Sequence, residues 1–390
     1  MTDTDPVLAA AGSQRRNRFD RLEWAGAFGD LGTLIPFVVA YISLLGMDPY
    51  GVLLAFGLAK IAAGLYYRTP VPVQPMKAIG AVATTQAAQS LTITPAAVYG
   101  AGLVTGAIWL ALGSSGTADR VARWISRPVA VGIVMGLGFS FMLGGIRMMA
   151  QDWIVGGAAL AATLLLLSNR RVPAMFLLLA AGAIVALIRN PALVDDLAAI
   201  RIDARLPSFA LAGMTWKDFA VGAVFLALPQ VPLTLGNAVI AITEENNRLF
   251  PDRPVGEREI AVSTGIMNLL APLLGGVPMC HGAGGMAGHV RFGARTGGAL
   301  IILGTIVVAI AVFFSRSVAT IFSMFPPPIL GVVLFMTGAQ LALGSCDFGR
   351  TKNDRFTTLV TAACTIWNVG LAFVLGMVLH HALKRGLVRL

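Results

Sequence analysis

Two stretches decide how this chain is read: TPVPVQPMKAIGA at residues 69–81 and GGVPMCHGAGGMAG at 275–288. Each runs from a short extended segment bearing proline, through polar residues, into a glycine- and alanine-rich sequence of helical character. Pro72 and Pro278 anchor the two copies 206 residues apart in a chain of 390. Both copies lie in apolar surroundings. Broken helices at matching positions of two halves point to a binding site at the middle of a membrane carrier built from inverted repeats.

The surroundings are those of a bilayer. Mean hydropathy is +0.78, 56% of residues are hydrophobic and only 12% are charged, where a soluble domain carries about 25%. Apolar runs of the ~20 residues needed to cross ~30 Å of hydrocarbon recur along almost the whole length. The first 22 residues are polar, carry Arg15, Arg16, Arg18 and Arg21, and contain no apolar run, so no cleavable signal peptide is expected. The net charge of +10 does not point to nucleic acid. Its basic residues fall in short loops between spans, where the positive-inside rule puts them. Cys280, Cys346 and Cys364 lie in or near apolar segments without C-x-x-C spacing. They read as small buried hydrophobes, and neither a disulfide framework, a metal site nor a cofactor is expected.

The hydrophobic pattern predicts fourteen membrane segments, seven plus seven, in an all-α polytopic protein. The first repeat (23–188) holds segments near 24–45, 50–67, a short one at 74–90, 95–112, 128–146, 153–168 and 172–188. The second (218–390) holds 218–242, 259–275, a short one at 280–292, 296–314, 318–334, 335–345 with 356–368, and 369–385. A cytoplasmic tail (1–22) precedes them, and an extracytoplasmic connector (189–217) separates them. Pro326, Pro327 and Pro328 are expected to bend or end a helix in the last third. SRPVAVGIVMGLGF (126–139) resembles PPPILGVVLFMTGA (326–339), with Pro128 matching Pro328. FGDLGTLIPFVVA (28–40) resembles FLALPQVPLTLGN (225–237) more faintly. An odd number of crossings per repeat inverts one half relative to the other. With both termini in the cytoplasm, only Arg147, Arg189, Arg201, Arg205, Lys217 and Arg316 of the 29 Lys and Arg residues fall outside, and Lys60 and Lys77 lie within spans. That asymmetry fixes the expected orientation.

Polar residues at membrane depth carry the chemistry. A lysine at the centre of a span costs about 2.5–3.5 kcal/mol even on insertion scales, so Lys77 requires a reason. Pro75 suits the first turn of a helix, which places Lys77 at the positive end of a helix dipole. A cation there makes sense if an anion is shared. The alternatives are a snorkelling lysine or a buried ion pair. Cys280-His281-Gly282-Ala283-Gly284-Gly285 opens the second short helix, where glycines leave N–H groups open to an oxyanion. The run also fits G-x-G-x-x-A, but its membrane setting and the lack of an acid about twenty residues on argue against a dinucleotide. His281, at the head of this nest, is equally readable as a ligand or as a packing residue. Asp30, the carboxylate within the first span, is a candidate for ion coupling or for neutralising Lys77. Gln74, Gln230, Thr33 and Asn237 could donate to an oxyanion, although helix–helix hydrogen bonding is the plainer role, above all for Asn237.

GDLGTLIPFVV, PVPVQPMKAIGAVA and GGVPMCHGAGGMAGHVRFGAR closely resemble signature stretches of the molybdate transporters related to the sulfate permease (SulP) superfamily. The resemblance covers essentially the whole membrane portion. It implies the fold of the sulfate, bicarbonate and uracil transporters. There, segments three and ten are half-helices preceded by short strands, and substrate binds between their N-termini. It also implies a core of segments 1–4 and 8–11 moving against a gate of segments 5–7 and 12–14. With the sequence running to Leu390, the resemblance to molybdate transporters implies that the cytosolic STAS domain usual in sulfate permeases is not expected. Gln230 stands where many relatives carry an acid on segment eight.

The expected function is secondary active transport of a tetrahedral oxyanion, molybdate before sulfate, by a multi-pass protein of the cell membrane. The expected binding set is Gln74, Pro75, Met76, Lys77, Gln230, Cys280, His281, Gly282, Ala283 and Thr33, with Asp30 as the coupling candidate. Expected partners are the oxyanion, lipid, a coupling proton or cation and, in some assemblies, a second copy. Nucleic acid is not expected. An anion channel is a rival, and a neutral nucleobase fits a cationic site poorly. An intramembrane enzyme lacks support, because neither H-E-x-x-H nor G-x-S-x-G occurs.

Overall fold

The computed structural model describes residues 16–85, 93–117, 126–166, 174–202, 204, 210–343 and 351–388. Arg15, the end of the third expected segment (86–90), Arg120, Arg123, Arg170, Arg171, Cys346 and Arg350 lie outside these residues. Seventeen α-helices and one two-stranded sheet are described.

The first repeat contains α1 (Arg21–Ala27), α2 (Leu31–Ser43), α3 (Pro49–Tyr67), β1 (Gln74–Pro75), α4 (Lys77–Thr85), α5 (Pro95–Ser115), α6 (Arg127–Met149), α7 (Trp153–Leu166) and α8 (Ala174–Arg189). A short helix α9 (Leu193–Ala198) lies in the connector. The second repeat contains α10 (Trp216–Leu249), α11 (Glu257–Leu270), β2 (Met279–Cys280), α12 (Ala283–Arg291), α13 (Gly298–Phe314), α14 (Val318–Ser323), α15 (Pro327–Leu343), α16 (Lys352–Trp367) and α17 (Val369–Lys384). Among the described residues, α3, α5, α6, α10 and α13 are long and apolar enough to cross a membrane, and the bent α1–α2 pair adds a sixth. The other apolar helices are shorter over the described residues, which therefore do not by themselves count the expected fourteen crossings.

Local sequence explains the ends. Pro49 and Pro95 open α3 and α5 behind Asp48 and Thr94, whose side chains accept the N–H groups of Tyr50 and Ala97. This satisfies donors that a helix start leaves orphaned. Gly116 ends α5 at φ 65°, a left-handed cap that glycine takes without Cβ strain.

The last third departs from the sequence expectation of segments at 318–334 and at 335–345 with 356–368. The break falls earlier: α14 stops at Ser323, and α15 runs unbroken from Pro327 to Leu343. Pro327 and Pro328 stand in the first turn of α15, where no N–H is needed. They start a helix rather than bend one.

The two halves pack by exchange. Segment two lies on segment eleven (α3 on α13), and segment four lies on segment nine (α5 on α11). Swapping the halves turns one pair into the other. α6 lies on α15 and β1 on β2, each the counterpart of its partner. This is the contact pattern of a two-fold duplication. Small residues permit the close crossings: a methyl at Gly64 would stand 2.5 Å from the Gly297 carbonyl, and one at Gly145 2.5 Å from that of Gly331.

Candidate oxyanion site between two half-helices

β1 and β2 run antiparallel, with Gln74 opposite Cys280 and Pro75 opposite Met279. The Met76 N–H donates to the Pro278 carbonyl at 2.9 Å. Each strand leads within two residues into a half-helix, α4 or α12, described over nine residues. The antiparallel register therefore brings both helix N-termini to one place, where their partial positive charges add. Pro75, Met76, Cys280 and Gln74 are buried in this junction.

Two side chains on neighbouring helices hold the strands. From α3, Lys60 is fully buried; its Nζ donates to the Val73 carbonyl at 2.7 Å and pairs with Asp30 at 3.3 Å. From α11, Asn268 donates to the Met279 carbonyl at 2.6 Å and accepts its N–H at 2.8 Å. Segments two and nine thus perform the same task, with a charged residue in one half and a neutral amide in the other. Asp30, expected to couple ions or to neutralise Lys77, pairs instead with Lys60. It also accepts a short hydrogen bond from Gln74 Nε2.

The two tips differ. In α10, Pro229 and Pro232 lack the N–H groups that an α-helical ladder needs, and the helix winds in π-turns on either side, at Gly222–Ala227 and Thr234–Ile240. Gln230 lies between these loosened turns. Its Oε1 accepts the N–H groups of Ala78 at 2.8 Å and Ile79 at 3.3 Å, and its Nε2 donates to Thr234 at 2.9 Å. Gln230 therefore caps α4. Among the described residues, no side chain caps α12 behind Gly282. Three polar groups crowd that open tip. A methyl at Gly282 would fall 2.2 Å from Gln74 Oε1 and 3.2 Å from Asn237 Nδ2, and one at Gly284 would lie 4.0 Å from Lys77 Nζ. Gly282 is glycine because the Gln74 amide occupies the space of a side chain.

Lys77 and Asn237 have no hydrogen-bond or ion-pair partner among the described residues. Gln74 Oε1 is buried and unsatisfied. Lys77 and Asn237 are half-buried beside it; polar groups withdrawn from water without a partner are costly, and here they converge on one gap. His281, in contrast, is engaged on both ring nitrogens. The Pro72 carbonyl can only accept, so Nδ1 donates to it at 2.8 Å, and Nε2 meets the Ser263 hydroxyl at 2.8 Å, itself 2.6 Å from the Tyr67 hydroxyl. Tyr67, Ser263 and His281 also line a crevice of about 1020 Å³ between α3 and α11. That crevice is otherwise mostly apolar and is not lined by Gln74, Lys77 or Gln230. Thr33 lies in the first turn of α2, and its side chain is outside the described residues.

The sequence profile of the family described as "Molybdate transporter of MFS superfamily" matches residues 22–141 and 222–341, one stretch in each half. The chain belongs to that molybdate transporter family. It is 33% identical to molybdate transporter 2 of Arabidopsis thaliana over 93% of this chain and 87% of that protein. In fold it is similar to the transmembrane domain of a cyanobacterium bicarbonate transporter, BicA (TM-score 0.67, 15% identity, 94% of this chain and 98% of that one). It is similar also to murine Solute Carrier 26 family member A9 in the inward-facing state (TM-score 0.72, 11% identity, 99% and 71%). This molybdate transporter family member therefore has the sulfate-permease-like architecture and is a multi-pass membrane protein.

Three features of the family member were not singled out by sequence reasoning. Lys60 stood in an evenly apolar helix with nothing to mark its partner. Asn268, at the equivalent place in segment nine, looked like any polar residue of a span. Glu23 is 1% exposed and accepts the N–H groups of Arg295 and Thr296, both at 2.9 Å, and of Ala299 at 3.1 Å. It caps α13 from the other repeat. Only its position just before the first apolar run hinted at burial.

Proposed function

We propose that this protein is a secondary active transporter of a tetrahedral oxyanion, molybdate, bound at the α12 tip opposite Lys77. One observation carries the reading: a lysine without a partner faces an uncapped, glycine-lined helix N-terminus inside a membrane protein. A dianion satisfies both; a cation satisfies neither, and a neutral acceptor leaves the lysine charge uncompensated. Lys77 would supply charge, Gly282, Ala283 and Gly284 backbone N–H groups, and Asn237 and Gln74 polar contacts. Gln230 would act on substrate through α4, whose tip it holds. Asp30, buried beside the site, is the coupling residue of the proposal.

The proposed cycle moves a core of segments 1–4 and 8–11 against a gate of segments 5–7 and 12–14. The close pairs α3/α13 and α5/α11 lie within the core and α6/α15 within the gate, which supports that division. The Lys/Arg asymmetry supports both termini in the cytoplasm, in a cell membrane. Purified protein in liposomes should accumulate molybdate under an ion gradient, with sulfate competing more weakly. Uptake of neither anion under any gradient overturns the reading, and downhill uptake with large single-channel currents assigns a channel instead. Lys77→Ala should weaken molybdate binding by about 30-fold or more, since losing one partner of a desolvated charge pair costs about 2–5 kcal/mol. Unchanged affinity removes Lys77 from the site.

A further inference from the structure

The Gln74 amide is oriented against the substrate just proposed. Its Nε2 is used on Asp30, and the atom left at the α12 tip is Oε1, an acceptor without a partner. An oxyanion offers only acceptors, so it cannot bond to that atom. Rotating the amide by half a turn exchanges two atoms of nearly equal size and presents Nε2 to the gap. The rotated amide would then set Oε1 against an Asp30 oxygen. That contact is stable only when Asp30 carries a proton to donate.

The geometry points to a proton-operated amide reversal: a proton on Asp30 turns Gln74 from an acceptor into a donor at the oxyanion site. The step is a protonation with no other bond change. Asp30 takes a proton from water, its O–H donates to Gln74 Oε1, and Gln74 Nε2 donates to the bound anion. Lys60, released from the Asp30 charge, keeps the Val73 carbonyl at 2.7 Å. The inference rests on the oxyanion reading and names its coupling ion as H⁺, with Gln74 as the positioning residue that links proton to anion.

Other groups share the field of Asp30. Lys60 faces it from α3, Lys77 from the first turn of α4, Cys280 from β2 and His289 from α12. Glu23 of α1 is committed to backbone N–H groups of α13 and its approach. His289 donates from Nδ1 to the Gly26 carbonyl at 2.7 Å and leaves Nε2 buried without a partner. It is the competing proton site, and the test includes it.

Molybdate affinity of the detergent-purified protein is measured across pH, within the range where the free dianion stays deprotonated. Proton uptake on binding is counted by calorimetry in buffers of different ionisation enthalpy. Wild type should take up about one proton per anion and lose up to about tenfold in affinity per pH unit as pH rises. Asp30→Asn, whose amide imitates the protonated acid, should bind with a flat pH profile and no proton uptake. Asp30→Asn/Lys60→Met repeats the measurement without an unpaired buried lysine, should the single variant fail to fold. Gln74→Leu should also flatten the profile although Asp30 is retained, whereas His289→Gln should keep the slope. Binding by wild type without proton uptake overturns the reversal, as does a slope that survives Asp30→Asn or Gln74→Leu, or one that vanishes with His289→Gln. Absence of any oxyanion binding at any pH is a different failure, that of the oxyanion reading itself.

Discussion

The tips of α4 and α12 are the same device with opposite finish. The α4 tip is closed: Gln230 accepts its free N–H groups, and the strand before it hangs on a buried lysine paired with an aspartate. The α12 tip is open: no described residue caps it, and the strand before it hangs on the neutral Asn268. Duplication supplied two helix ends pointing at one place. Divergence then put the fixed charges, Lys77, Lys60 and Asp30, on the first copy and the unused donors on the second. A site with both tips open would hold an anion by dipoles alone. One with both tips closed would hold none.

The clamps break this comparison most sharply. Lys60→Met leaves Asp30 charged, buried and without its cation, a change that typically costs about 3–5 kcal/mol. Asn268→Leu strands one N–H and one C=O of Met279, each costing about 1–3 kcal/mol. Thermal unfolding in detergent should therefore place Lys60→Met at or below Asn268→Leu, and Asp30→Asn added to Lys60→Met should recover part of the loss. Equal stability of wild type and Lys60→Met would mean that the charge on the first clamp is incidental.

Within the open tip, Gly282 and Gly284 should behave differently. Gly282→Ala drives a methyl into the Gln74 amide, which Asp30, Pro72 and Gly285 hem in. Overpacking of this kind costs about 1–3 kcal/mol, and molybdate affinity should fall with it. Gly284→Ala meets only the end of Lys77 at 4.0 Å, and its stability should stay within about 0.5 kcal/mol of wild type. Matching effects at both positions would show that the crowding at Gly282 is relieved by backbone movement. The smallest effect is expected at Ser263→Ala. It removes the hydroxyl between Tyr67 and His281 and should cost about 1 kcal/mol without changing molybdate affinity, because that network sits beside the apolar crevice rather than in the gap. A loss of affinity there would return His281 to the ligand set.

Much of the architecture was legible because proline and glycine act locally. Pro75 and the Gly282–Gly285 run announced two helix starts inside apolar sequence, and the matching of Pro128 with Pro328 announced the duplication. The last third was misread for the same reason: a proline run starts a helix as readily as it breaks one, and only the position of Ser323 decides. Lys77 was legible as a cation at a helix start. Its freedom from Asp30 was not, since a lysine in an evenly apolar span, Lys60, takes that aspartate from thirty residues away. Nor did spacing reveal that His281 turns to Ser263 and Pro72, or that Gln230 reaches α4. Such side-chain directions are set by tertiary neighbours, and one sequence carries no record of them.

The four-residue sheet has a mechanical consequence. Its strands come from opposite repeats and lock with Gln74 opposite Cys280, so the two tips cannot work as independent jaws. They form one cradle. In the proposed cycle, the motion that carries cargo across the bilayer would move that cradle whole, with the same atoms around the ion on both sides. Selectivity would then be decided once, on loading, and what differs between the two faces of the membrane is the wall against which the cradle comes to rest.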